Sequence, residues 1–126
     1  MKAIVAVNNL GFIGIGNKML WHCKEDLQHF KKLTMGCDLL VGYNTAQELP
    51  PLKGRNVIVD QRGIYYVKNE ANHDFWLIGG KKTYEKYAPL ITELHISHIN
   101  NDSIGDVMFP NFVSLNGTCQ IFNYHF

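Results

Sequence analysis

The sequence predicts an α/β fold in which a largely parallel sheet is covered by helices on both faces. Apolar residues come in short continuous runs, at Ala3 to Val7, Leu39 to Val41, Val57 to Val59 and Phe75 to Ile78. Strands buried on both faces read this way, whereas half-exposed sheets alternate. Helix-period stretches fall between some of these runs, the order expected of crossover-connected strands. The 126 residues, 46% of them hydrophobic, suit a single domain over 1–126 with one core.

The elements follow in order. Ala3 to Val7 reads as a buried strand, because the apolar run meets Asn8-Asn9 too soon for a signal peptide or a membrane span. Gly11, Gly14 and Gly16 punctuate a long connection to Trp21, a candidate mobile loop. Lys24 to Thr34 has helical period, with Cys23, Asp26, Leu27, Phe30 and Thr34 on one side and Lys24, Gln28, Lys31 and Lys32 on the other. A strand at Asp38 to Gly42 completes a βαβ unit, and a short helix at Thr45 to Leu49 ends before Pro50-Pro51. Asn56 to Asp60 and Ile64 to Lys68 read as strands divided by Gln61-Arg62-Gly63. Phe75 to Ile78 runs into Gly79-Gly80, and a helix covers Lys82 to Tyr87. Leu94 to Ile99 alternates as a strand, Phe109-Pro110 marks a turn, and a terminal strand lies within Thr118 to Tyr124. There are no repeats, low-complexity tracts or linkers.

Twelve basic and eleven acidic residues give a formal charge of +1. That balance offers no electrostatic case for nucleic acid or a membrane surface and leaves small-molecule chemistry. Cys23, Cys37 and Cys119 are odd in number and far apart, which suggests neither a disulfide framework nor a zinc cluster and fits a reducing cytoplasm. His95 and His98, three apart on a strand, project to opposite faces, so no metal site is expected.

The most informative residue is Asp26, an acid where the helical stripe calls for a hydrophobe. Two readings fit. A buried carboxylate needs a proton, a hydrogen bond or a cationic or amidine-like ligand, which would imply a pocket. An acid in the first helical turn can instead stay wet and favour the helix dipole.

Three fragments, Gly14-x-x-Asn17-x-Met19-x-Trp21, Asp26-x-x-x-Phe30-x-x-x-Thr34 and Gly42-x-x-Thr45, resemble the opening half of dihydrofolate reductases. Leu52-Lys53-Gly54-Arg55-Asn56, Ile78-Gly79-Gly80 followed by Tyr84-Glu85, and Gly105-Asp106 ahead of Phe109-Pro110 are similar to that family's later signatures, in the right order. The resemblance implies reduction of 7,8-dihydrofolate to tetrahydrofolate by hydride transfer from NADPH, NADH being possible. It also implies an antiparallel C-terminal strand.

On those terms Asp26 would accept the pterin's two parallel N–H donors as a bidentate pair and help polarise the ring, the proton itself coming through water. Ser97, where the family often has threonine, would hydrogen-bond Asp26. Leu27, Phe30 and Leu49 would wall the pterin and benzoyl groups, and Arg55 would pair with the glutamate-tail carboxylate. Ile4 and Ile78 would offer backbone carbonyls to the pterin edge, with Ala6 lining the floor that pterin and cofactor share. Met19 and Trp21 would belong to a closing loop, next to Ile13, Gly14 and Asn17 on the cofactor side. Gly42, Thr45, Gly79 and Gly80 would let the diphosphate approach, Tyr84 would pack near the nicotinamide, and Arg62, Lys81 and Lys82 would supply charge.

The chain departs from the family pattern where Tyr43 and Asn44 stand in place of an expected arginine and histidine, which weakens the clamp on the 2′-phosphate. Leu20 replaces a usual proline, 69–74 is too short for the helix often found there, and the end is trimmed. The trimmed end leaves a strand edge, so the expected state is a monomer or weak homodimer. Two rivals remain. One is a related pyrimidine reductase of riboflavin synthesis, against which Trp21 and Asp26 argue. The other is a catalytically silent folate or nucleotide-binding module, against which Asp26, Phe30 and Arg55 together argue.

Overall fold

The computed structural model describes residues 1–14, 21, 23–61, 75–109 and 118–125. In chain order the elements are β1 (Lys2–Asn8), β2 (Phe12–Gly14), α1 (Lys24–Thr34), β3 (Asp38–Gly42), α2 (Tyr43–Ala46), β4 (Asn56–Asp60), β5 (Phe75–Leu77), α3 (Lys81–Tyr87) with a 3-10 turn at Ala88–Leu90, β6 (Glu93–Asn100), β7 (Val107–Met108) and β8 (Thr118–His125). Six strands form one sheet in the order β4-β3-β5-β1-β6-β8, and β2 pairs with β7 in a small second sheet. No helix among the described residues is long and apolar enough to cross a membrane.

Successive side chains of β1 point to opposite faces, and each face meets its own helix. Ala3, Val5 and Val7 pack with Tyr84, Tyr87, Ile91 and Leu94 beneath α3. Ile4 packs with Leu39 and Trp76 on the other face, where Phe30 and Leu33 of α1 close over them. This two-sided burial accounts for the unbroken apolar runs. The expected α/β architecture, helices on both faces of a parallel sheet, is the one observed.

Several expectations are corrected in detail. β8 pairs with β6 in parallel register, from Glu93 with Thr118 to Asn100 with His125, so the C-terminal strand is not antiparallel. The 17 residues from Asn101 to Gly117 are long enough for the crossover that a parallel pair requires. Antiparallel pairing occurs instead between β2 and β7, two short strands in stretches that sequence reasoning left as connections. The helix expected at Thr45 to Leu49 is α2, which begins at Tyr43 directly after Gly42 and ends at Ala46, before the prolines are reached. The strand expected at Ile64 to Lys68 lies outside the described residues.

The connection after β1 is organised by buried Asn8. Its side-chain oxygen accepts from the backbone of Leu10 and Phe12 at 3.1 and 2.9 Å, and its amide donates to the Ser103 carbonyl at 2.7 Å. These bonds hold β2, and with it Ile13, over the carboxyl ends of the strands. α1 is stopped by Gly36, whose φ of 77° takes the chain out of the helix, while its N–H donates to the Gly54 carbonyl at 2.8 Å.

Candidate active site

The sheet's strand ends and the first turns of its helices enclose a cavity of about 730 Å³, in the range of small-molecule sites. Three walls matter. α1 contributes Asp26, Leu27 and Phe30; β1 and β2 contribute Ile4, Ala6 and Ile13; the glycine-rich ends of β3 and β5 contribute Gly42, Ile78, Gly79 and Gly80. Leu49, Thr45, Lys81, Lys82 and Tyr84 also face it. The cavity therefore gathers, from five separate segments, most of the residues singled out from sequence.

Asp26 reconciles its two readings. It lies in the first turn of α1 with Glu25, and it is also half-buried. Burial pushes its carboxyl above the ordinary value, while the Ser97 hydroxyl and the nearby His29 pull it back down. Ser97 is buried and stands behind Asp26 rather than on the cavity wall. Leu27 is 50% exposed although apolar, because its side chain lies on the cavity face and has no protein against it.

Arg55 is not on the wall itself. Its guanidinium lies 5.8 Å over the Phe30 ring, with Nε donating to the Lys53 carbonyl at 3.1 Å and Nη1 to Thr34 Oγ1 at 3.5 Å. It is thus moored at the outer end of the apolar wall. Trp21 packs with Ala6, Cys23 and Ile99 and so fastens the start of α1 to the sheet. Met19, Asn17 and Arg62 lie outside the described residues.

Tyr84 is buried, and its hydroxyl donates to the Ile4 carbonyl at 2.6 Å. Burial drives its phenol far above the ordinary value, so the group is a fixed donor. The Ile4 carbonyl expected to meet a pterin edge therefore already accepts a hydrogen bond from Tyr84. Phe109 braces the Tyr84 ring edge-on at 5.4 Å.

The glycine corner is tight. The Gly42 N–H donates to the Gly79 carbonyl at 2.7 Å, and the Gly79-Gly80 peptide is cis. A Cβ at Gly42 would collide with the Thr83 hydroxyl, and one at Gly80 would come within 2.8 Å of Thr45 Oγ1. Bare backbone, two threonine hydroxyls and the exposed Lys81 and Lys82 thus form one polar wall of the cavity. Tyr43, 51% exposed, and Asn44 stand at its rim.

Sequence reasoning did not single out Asp60, Gln61, Thr83, Lys86 or Val107, which also line the cavity. Asp60, at the end of β4, accepts from the Tyr87 hydroxyl at 2.9 Å and from the Lys86 ammonium at 3.0 Å, tying α3 to the sheet. An acid ending an apolar strand was the available signal. Among the described residues no cluster of three or more His, Cys, Asp or Glu could hold a metal ion.

A family model described as dihydrofolate reductase matches residues 1–116. A dihydrofolate reductase of Buchnera aphidicola subsp. Schizaphis graminum is 28% identical over 130 residues, covering 90% of this chain and 81% of that protein. One from Neisseria meningitidis serogroup A is 33% identical over 115 residues, covering 78% and 71%. A dihydrofolate reductase from Enterococcus faecalis, solved in complex with NADP(H) and RAB-propyl, superposes with a TM-score of 0.72 at 26% identity, covering 87% of this chain and 76% of that one.

Proposed function

We propose that this chain, which belongs to the dihydrofolate reductase family, reduces 7,8-dihydrofolate to 5,6,7,8-tetrahydrofolate with NADPH. The observation that carries the reading is Asp26, a half-buried acid facing an apolar cavity with the Ser97 hydroxyl behind it favouring its charge. Such an acid is matched by a flat heterocycle offering two parallel N–H donors, as a pterin does. No observation favours the riboflavin-pathway or silent-module readings.

The residues divide the work by chemistry. Asp26 fixes the ring's orientation and draws positive character onto it, which favours protonation of the ring nitrogen beside the carbon that accepts hydride. Ser97 holds the Asp26 carboxylate in place. Leu27, Phe30 and Leu49 grip the apolar parts of the substrate, Ile4 and Ile78 offer carbonyls at the ring edge, and Arg55 takes the tail carboxylate at the outer end of the wall. Ala6 separates the two ligand positions from below.

The polar wall fits a dinucleotide phosphate, since side-chain-free backbone at Gly42, Gly79 and Gly80 lies beside Thr45, Lys81 and Lys82. NADPH, when bound, supplies the hydride. Ile13, Gly14 and Tyr84 lie on the nicotinamide side, and Trp21 anchors the segment that carries Asn17 and Met19, which would close over it. Arg62 would add charge near the 2′-phosphate.

We read residues 1–126 as one domain, acting as a monomer or weak homodimer on small molecules, with no nucleic-acid or membrane partner. A reducing cytoplasm suits the free thiols of Cys23 and Cys37. The test is the fall in NADPH absorbance with purified protein. Oxidation that depends on added dihydrofolate supports the reading, and none with either NADPH or NADH refutes it.

A further inference from the structure

The far end of the cavity, past the glycine corner, holds an acid that the reaction does not use. The sheet order β4-β3-β5-β1 sets β4 three strands away from Ala6 on β1, about 14 Å at the usual strand spacing. That is comparable with the reach of a dinucleotide laid from its nicotinamide beside Ala6 and Ile13, over Gly79-Gly80 and Gly42, to its adenosine ribose. Asp60 is level with Gly42 in the β3–β4 register, and so borders Tyr43 and Asn44, which follow Gly42 at the rim. It is 7% exposed and lines the cavity. Its Oδ1 accepts from the Tyr87 hydroxyl at 2.9 Å and its Oδ2 from the Lys86 ammonium at 3.0 Å, which holds the carboxylate in one orientation.

We propose that Asp60 is a specificity-determining residue for the cofactor, its carboxylate favouring the 2′-hydroxyl of an adenosine ribose over a 2′-phosphate, so that the chain takes NADH nearly as readily as NADPH. This rests on the assignment of the glycine corner to the cofactor diphosphate.

The chemistry of the two ribose substituents decides which one the acid favours. An ionised carboxylate only accepts hydrogen bonds, at about four positions on its two oxygens, and Tyr87 and Lys86 donate to one oxygen each. A 2′-hydroxyl brings a donor that such an oxygen can accept. A 2′-phosphate brings acceptors and about two negative charges, which a carboxylate repels. In Rossmann-type sites an acid placed beyond the first strand binds the 2′-hydroxyl of NAD in the same way. The Lys86 ammonium does not reverse this preference, because its charge and that of Asp60 offset each other across 3.0 Å. Among the described residues lining this end, Tyr43, Asn44 and Gln61 carry no charge. Lys81 and Lys82 begin α3 directly after Gly80, beside the corner where the diphosphate sits.

The test is a fluorescence titration of the full chain with NADPH and with NADH, at low and at high salt. Asp60→Asn keeps the shape and an acceptor for Tyr87 but removes the charge. It is expected to tighten NADPH about tenfold at low salt and less at high salt, with NADH unchanged or weaker. Lys86→Gln takes away the cation that balances Asp60 and is expected to move the ratio of the two dissociation constants the other way. A ratio that stays put in Asp60→Asn, or moves the same way in both variants, overturns the proposal, because a packing defect at β4 would weaken both cofactors alike. Should either variant lose the wild-type circular dichroism, the wild-type protein decides: dissociation constants within about tenfold of each other support the proposal, and a wider preference for NADPH overturns it. If the ratios move as stated but dihydrofolate is not turned over with either cofactor, the proposed function fails while the role of Asp60 stands.

Discussion

Replacing Asp26 by Asn separates what the acid contributes to chemistry from what its burial costs the fold. Asn keeps the shape and can still accept from Ser97, but it turns an NH2 donor towards a ring edge that itself presents donors. One charge-assisted hydrogen bond is lost and its neighbour becomes neutral. Charge-assisted bonds contribute about 1.5–3 kcal/mol each. A combined loss of about 3 kcal/mol corresponds to a fall of about 150-fold in kcat/KM at neutral pH.

The effect on stability has the opposite sign. The folded-state carboxyl is raised above its unfolded value of 3.8, chiefly by burial. Its favourable contribution is therefore fully present below pH 3.8 and lost as pH rises through the folded value, leaving a buried charge at neutral pH. Asn carries no such charge. The variant is expected to melt higher than the parent at pH 7, with the gap closing as pH falls towards 4. Thermal unfolding at several pH values and steady-state assays on the same preparations measure both arms. Undiminished kcat/KM would remove Asp26 from the chemistry, and a lower melting temperature at pH 7 would show that the fold depends on the charge.

Three further outcomes follow from the same geometry. Tyr84→Phe removes the 2.6 Å bond to Ile4 and is expected to cost about 1–2 kcal/mol, read as a fall of about 4–8 °C in Tm for a chain of this size; an unchanged Tm would mean the bond contributes nothing. Gly42→Ala drives a methyl into the Thr83 hydroxyl and is expected to cost about 1–3 kcal/mol and weaken NADPH binding, with Thr83→Ala added to it restoring part of the stability. No rescue in a melting comparison of the two would place the strain elsewhere. Tyr43→Arg adds a cation at the exposed rim and is expected to tighten NADPH binding by up to about fivefold, in a salt-dependent way, while leaving NADH unchanged. Equal gains for both cofactors in a fluorescence titration would place the 2′-phosphate away from Tyr43.

The fold was readable because burial on both faces leaves a direct mark. Leu39 to Val41 and Ala3 to Val7 are unbroken apolar runs because each strand has α1 on one side and α3 on the other. The short elements left no such mark. β7 is two residues long and β2 is three, below the length at which any period can be counted, and their pairing depends on bonds that Asn8 makes to the Leu10 and Phe12 backbone. The direction of β8 was equally hidden. Its sequence is compatible with either orientation, and the choice depends on where the preceding crossover returns the chain.

The cavity was legible where a residue breaks its local pattern, and illegible where its meaning depends on a partner far along the chain. Asp26 interrupts an apolar stripe and Gly79-Gly80 ends a strand, so both announce themselves. Asp60 ends the apolar run of β4 in the same way, but its role is hidden, because its pairing with Lys86 and Tyr87 exists only once α3 folds back across β4. Alternation along β6 places Glu93, His95 and Ser97 on one face, so that Asp26 finds a hydroxyl behind it. An acid tolerated in the wall of an apolar cavity needs groups behind it that favour its charge, and here they come both from the strand it packs against, as Ser97, and from its own helix, as His29.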